Sequence, residues 1–150
     1  MSNIYRILLA ACSIALVTAF TGTASGQSKA MLVNSSWQLV AIHAANDSVF
    51  VPRKPRDHLL RFRMDNRLQI EADCNQAGAT YTQDETRLAI TDLVTTRKLC
   101  VAPSLFNRFI LNLMRTQSIR LEVERLILYT DLETDWMEFE PYVFVPGKDD

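Results

Sequence analysis

Beyond residue 26, hydrophobic and polar positions alternate with a period of two through most of the chain, the spacing of side chains on a β-strand. "SSWQLVAIHA" (residues 35–44) sets Trp37, Leu39 and Ala41 on one face and Val40 and Ile42 on the other, a strand covered on both sides. "DSVFVPRKPRDH" (47–58) contains Pro52 and Pro55, which cannot donate to a ladder, so it reads as a loop or sheet edge. "LLRFRMDNRLQIEADC" (59–74) predicts a hairpin. In it Leu60, Phe62 and Met64 alternate with Arg61 and Arg63, Asp65-Asn66 forms the turn, and Leu68, Ile70 and Ala72 run back, with Cys74 continuing the inward parity.

The period changes once. In "PSLFNRFILNLMRTQ", about 103–117, Phe106, Phe109, Ile110, Leu113 and Met114 form one helical stripe, while Asn107, Arg108, Asn112 and Arg115 face away. Pro103 suits a first helical turn, where its missing N–H costs nothing. Before this helix, "RLAITDLV" (87–94) is a short strand with Leu88 and Ile90 on one face. After it, "SIRLEVERLILYTD" (118–131) alternates through Ile119, Leu121 and Val123, turns near Glu124-Arg125 and returns. "DWMEFEPYVFV" (135–145) sets Met137 and Phe139 opposite Glu138 and Glu140, and "PGKDD" is a polar tail. Hairpins without βαβ crossovers predict an α+β domain, mainly antiparallel: a curled, barrel-like sheet with one amphipathic helix packed on it.

The first 26 residues follow another pattern. Arg6 precedes an apolar run from Ile7 to Phe20, and Ala24 and Gly26 give the small-x-small signature of a signal peptidase site. The run is short for a membrane-spanning helix. It predicts a signal peptide over 1–26 and one domain over 27–150, with its core at about 32–142. Lipidation at Cys12, within "LAAC", and a retained amino-terminal anchor are the other two readings. Export to the periplasm or medium follows, with no membrane span after cleavage.

Composition narrows the function. A hydrophobic share of 48% and a charged share of 22% suit a globular domain, and a net charge of −1 lacks the basic footprint that nucleic acid requires. The one basic group, Arg53, Lys54, Arg56, Arg61, Arg63 and Arg67, reads as a solvated face, with anion or membrane-surface contact as the lesser reading. Export would leave Cys74 and Cys100, and two cysteines in a small domain of an oxidising compartment most often pair. Such a crosslink contributes roughly 3 to 4 kcal/mol by chain entropy. A cysteine nucleophile would need a neighbouring histidine, and the chain has only His43 and His58, each read as a surface or loop residue. No CxxC or HxxxH spacing predicts a metal site. The hydroxyls of Ser35, Ser36, Thr95 and Thr96 have no evident base, and the carboxylates Glu122, Glu124, Asp131, Glu133, Asp135, Glu138 and Glu140 read as solvated. No catalytic residue and no cofactor are expected.

The order of these segments resembles the META domain, or HslJ-like, family over about Leu32 to Tyr142. The resemblance rests on "WQLVAI" (37–42), on "LLRFRMDNRLQIEADCNQAGATY" (59–81) with its C-N-x-x-G-x-x-Y end, and on "LAITDLVTTRKLC" (88–100). The residues that carry it are Trp37, Cys74, Asn75, Gly78, Tyr81, Thr96 and Cys100. Asn75 suits a turn, and Gly78 a further bend. The chain is a divergent member: Asp73 stands where the family often has glycine, Lys98 replaces an apolar residue, and the acid common at the start of the helix is missing. The resemblance implies a small exported or envelope-associated protein tied to stress, resistance or secretion, without an established enzymatic activity. The leading expectation is a monomeric, non-catalytic envelope protein presenting a surface to an envelope protein or small ligand. It carries over no catalytic residue. Inhibition of a secreted hydrolase such as lysozyme is the alternative.

Overall fold

The computed structural model describes residues 32–131 and 135–144. The expected signal segment with Cys12 and Gly26, the carboxylate Glu133 and the polar tail lie outside the described residues. Among the described residues, nine strands and one α-helix occur in the order β1 (Ser35–His43), β2 (Val49–Phe50), β3 (His58–Phe62), β4 (Arg67–Ala72), β5 (Asn75–Asp84), β6 (Arg87–Thr95), α1 (Phe106–Met114), β7 (Thr116–Glu122), β8 (Arg125–Thr130) and β9 (Trp136–Pro141). Every pairing is antiparallel. Eight strands close into a barrel where β9 returns to β1, from Trp37 opposite Pro141 to His43 opposite Trp136, and the short β2 adds beside β3 on the other side of β1. Closure removes the exposed edges that an open antiparallel sheet would leave.

Period-two side chains fill the interior. Leu39, Leu60, Phe62, Leu68, Leu88 and Phe139 are fully or almost fully buried, and α1 adds Phe109 and Leu113 to the same core. Phe109 meets the His58 ring edge-on at 5.2 Å and lies 6.2 Å from Phe139, so the helix covers one end of the barrel. His58 pairs with Ala72, Ala72 with Asn75 and Ala77 with Thr95. Residues 51–57, the turn 73–74 and residues 96–105 therefore gather at this helix-covered end.

The structure corrects several expectations. A bulge between Leu39 and Ala41 shifts the parity of β1, so Ile42 joins Trp37 and Leu39 in the core although alternation sets it on the opposite face. Met64 is exposed because β3 stops at Phe62 and Met64 opens the turn. Asp65 and Asn66 have φ of 59° and 58°, the paired left-handed geometry of a two-residue hairpin turn. Cys74 is exposed rather than inward, since the chain turns at Asp73 and Cys74. Asn75 then opens the ten-residue strand β5, whose polar sequence hides its alternation. The β7–β8 hairpin turns at Val123-Glu124, one residue earlier than expected. The helix spans 106–114 rather than 103–117, and Pro103 lies outside it. Asn112 is buried and Met114 exposed, the reverse of the expected faces.

Candidate functional site

The Cys74-Asn75 turn is bound to the segment leaving β6 by covalent and polar contacts. Cys74 and Cys100 form a disulfide with their Cα atoms 5.5 Å apart. The buried Asn75 side chain accepts from the Lys98 amide at 2.7 Å and from Thr96 Oγ1 at 2.9 Å, and its Nδ2 donates to the Lys98 carbonyl at 3.1 Å. One side-chain amide thus imitates the backbone of a neighbouring strand just where β6 ends. Thr96 completes the join, its amide donating to the Gln76 carbonyl at 2.9 Å and its hydroxyl accepting from the Gln76 amide at 3.1 Å. Asn75 serves the turn with its side chain, while the left-handed residue is Asp73, with φ of 59°.

The other residues singled out in the sequence are distributed through the barrel. Trp37 is buried and its Nε1 donates to Ser35 Oγ at 2.7 Å. Gly78 sits in β5 at a bulge that ends before Thr80, with open space where a Cβ would stand. Tyr81 packs edge-on against Phe62 at 4.9 Å and donates its hydroxyl to the Arg63 carbonyl, and burial pushes its pKa up. The structure joins Asn75, Thr96 and the disulfide into one unit, and leaves Trp37 and Tyr81 outside it.

A second cluster was not anticipated. Asp73 Oδ2 accepts from Ser104 Oγ at 2.6 Å and from the Leu105 amide at 2.9 Å. His58 Nε2 lies 3.7 Å from the same oxygen. The ring is only 2% exposed, and neither nitrogen has a hydrogen-bond partner, which overturns the reading of His58 as a surface residue. It continues the inward parity of Leu60 and Phe62, the signal that would have placed it. Loss of solvation holds its pKa below the usual histidine value, against the opposing pull of Asp73 and Asp57. A serine, an aspartate and a histidine meet here, but a nucleophilic triad needs the histidine between the other two. Ser104 donates to Asp73 instead, and its oxygen accepts from the Phe106 amide at 3.2 Å. The cluster therefore caps the helix.

Between α1 and residues 95–100 lies an open groove of about 630 Å³. Leu99, Leu111 and Met114 supply its apolar surface, and Arg97 and Lys98 its charge. Among the described residues, no carboxylate lines it. Leu99 is wholly exposed, and Met114 is 60% exposed. On the far side of residues 101–105 a smaller hollow of about 210 Å³ is bounded by Val51, Arg53, Lys54, His58, Val101 and Pro103, together with Asp57 and Asp73. Elsewhere, His43 stacks on Trp136 at 3.6 Å beside a hollow that Asp47 and Ser48 also line. Among the described residues, no group of three metal-binding side chains occurs, and no helix is long and apolar enough to cross a membrane.

Similarity to known proteins follows the fold. An NMR structure of a protein from Burkholderia xenovorans superimposes with a TM-score of 0.64 at 18% identity, covering 75% of this chain and 85% of that one. The crystal structure of a duf4847 family protein from Bacteroides vulgatus gives 0.55 at 13% identity, covering 73% and 94%. At these identities the likeness is one of fold. A search of curated proteins found no significant match. The family model of the META domain matches residues 30–141, which include the clamped turn, the helix and the closing strand β9. The chain belongs to the META domain family.

Proposed function

We propose that this protein is an exported, non-catalytic domain of the cell envelope that binds a partner through the helix-covered end of its barrel. The groove beside α1 carries this reading. Among the described residues it offers apolar side chains held in solvent, two cations and no carboxylate, which equips it to bind rather than to react. The Cys74–Cys100 disulfide supports export, because such crosslinks persist in oxidising compartments. The amino-terminal apolar run and its small-x-small site support the same route. Membership of the META family supports a role in envelope stress or resistance.

Two measurements test the reading. Fractionation with thiol trapping should recover the chain in the envelope or medium with Cys74 and Cys100 oxidised, whereas a reduced cytoplasmic protein would contradict export. Photo-crosslinkers at Leu111 and Leu99 should give specific adducts in cells, and one at Val123 should not. Adducts at Val123 alone would place the binding surface at the wrong end.

A further inference from the structure

The helix-covered end carries two basic pairs beside exposed apolar side chains. Arg53-Lys54 follows Val51 in the loop after β2, and Arg97-Lys98 precedes Leu99 and Val101 in the segment after β6. The fold brings the two together, since Val51, Arg53 and Lys54 share one hollow with Val101 and Pro103. Arg97, Lys98 and Leu99 line the groove on the other side of the same segment. Val51, Leu99 and Val101 are 67%, 100% and 85% exposed. Among the described residues, none of the four cations forms an ion pair. Two carboxylates, Asp57 and Asp73, face the hollow, and Asp73 is already bonded to Ser104 and Leu105.

We infer that this end docks on an anionic phospholipid bilayer, with Val51, Leu99 and Val101 entering the interface and Arg53, Lys54, Arg97 and Lys98 meeting lipid phosphates. The inference rests on the reading of this end as the binding surface and names what it binds. A peptide fills one groove, but these apolar side chains come from two separate segments, the loop after β2 and the stretch between β6 and α1, and line two different hollows, a spread that suits a broad surface. Basic residues flanking exposed apolar ones are the chemistry of interfacial attachment. Leu99 is also held in place, between Lys98, whose backbone is bonded to Asn75, and Cys100 of the disulfide.

The test uses the full chain with Leu99→Trp or Val123→Trp, the second position being 96% exposed at the opposite end of the barrel. Each is mixed with phosphatidylcholine vesicles, with and without phosphatidylglycerol, carrying brominated acyl chains that quench nearby tryptophan. Trp37, Trp136 and the amino-terminal apolar run are common to both variants, so the difference reports the two surfaces. The tryptophan at position 99 should lose most of its emission on anionic vesicles, and that at 123 almost none. Arg97→Glu with Lys98→Glu should weaken this quenching roughly tenfold or more, and added salt should weaken it further. Circular dichroism verifies that each variant is folded. Equal quenching at both positions, none at position 99, or indifference to charge reversal would overturn the inference. Specific protein adducts at Leu99 or Leu111 without lipid quenching would overturn it and leave the proposed function standing.

Discussion

The carboxylate of Asp73 accepts the backbone amide of Leu105 at 2.9 Å, across 32 residues of chain. The helix has no acid in its own first turn, and Leu105, at its N-cap, makes no side-chain cap. The hairpin turn supplies both functions from outside. This relationship joins two departures from the family pattern into one. Asp73 occupies a left-handed position, φ 59°, where glycine is the unstrained choice, and its carboxylate stands in for the acid missing from the helix.

Replacing Asp73 by alanine should destabilise the fold by about 1–2 kcal/mol, from the lost cap together with a side chain ill-suited to the left-handed conformation. Asp73→Asn keeps an acceptor and tolerates that conformation, so its loss should be the smaller. Urea unfolding of the two variants gives the comparison, and no loss of stability in either would show that the carboxylate does not cap the helix.

Asn75→Ala should cost about 1–2 kcal/mol, because the part-buried Lys98 amide and carbonyl and the Thr96 hydroxyl lose their Asn75 partner together. Asn75→Asp should do no better, since a carboxylate has no donor for the Lys98 carbonyl. Thermal melts under oxidising conditions measure this apart from the disulfide.

The disulfide closes a sequence separation of 26 residues, which the chain-entropy estimate equates to about 3.5 kcal/mol. Reduction should lower the melting temperature by well over a few degrees, and Cys74→Ser/Cys100→Ser should behave like the reduced protein. A melting temperature unchanged by reduction would contradict the estimate.

His58 gives stability a definite pH dependence. Burial depresses its pKa, so the unfolded chain takes up a proton first as the pH falls through about 6.5, the ordinary histidine value. This contribution is therefore complete above that pH and is lost as the pH drops toward the folded value. Asp73 and Asp57 oppose the depression, while Arg53 and Lys54 share the hollow. Asp73→Asn should depress the pKa further, and His58→Phe should remove this part of the slope. Unfolding free energies measured from neutral to mildly acidic pH would show both.

Much of the barrel was legible because its core residues alternate where backbone geometry is regular, as in β4 and β9. The misreadings fall where geometry departs from regularity. The β1 bulge reverses the parity of Ile42, and β5 is polar along most of its length. Cys74 and Cys100 were identifiable from their number, but the companion role of Asn75 depends on where β6 stops. Asp73 and Ser104 share no local pattern, because a cap spanning such a separation leaves no spacing to read. The groove was equally hidden: Met114 falls on the apolar stripe of the expected helix, and Leu99 sits in a segment without a period to read, until the helix boundary and the path of that segment are known.

The claim that the clamped, helix-covered end is the binding surface is tested most directly by hydrogen exchange of the full chain with and without isolated envelope membranes. Binding should protect amides in residues 96–105 and leave the turn at Val123-Glu124 unchanged. Protection centred on that turn, or spread evenly around the barrel, would contradict the account.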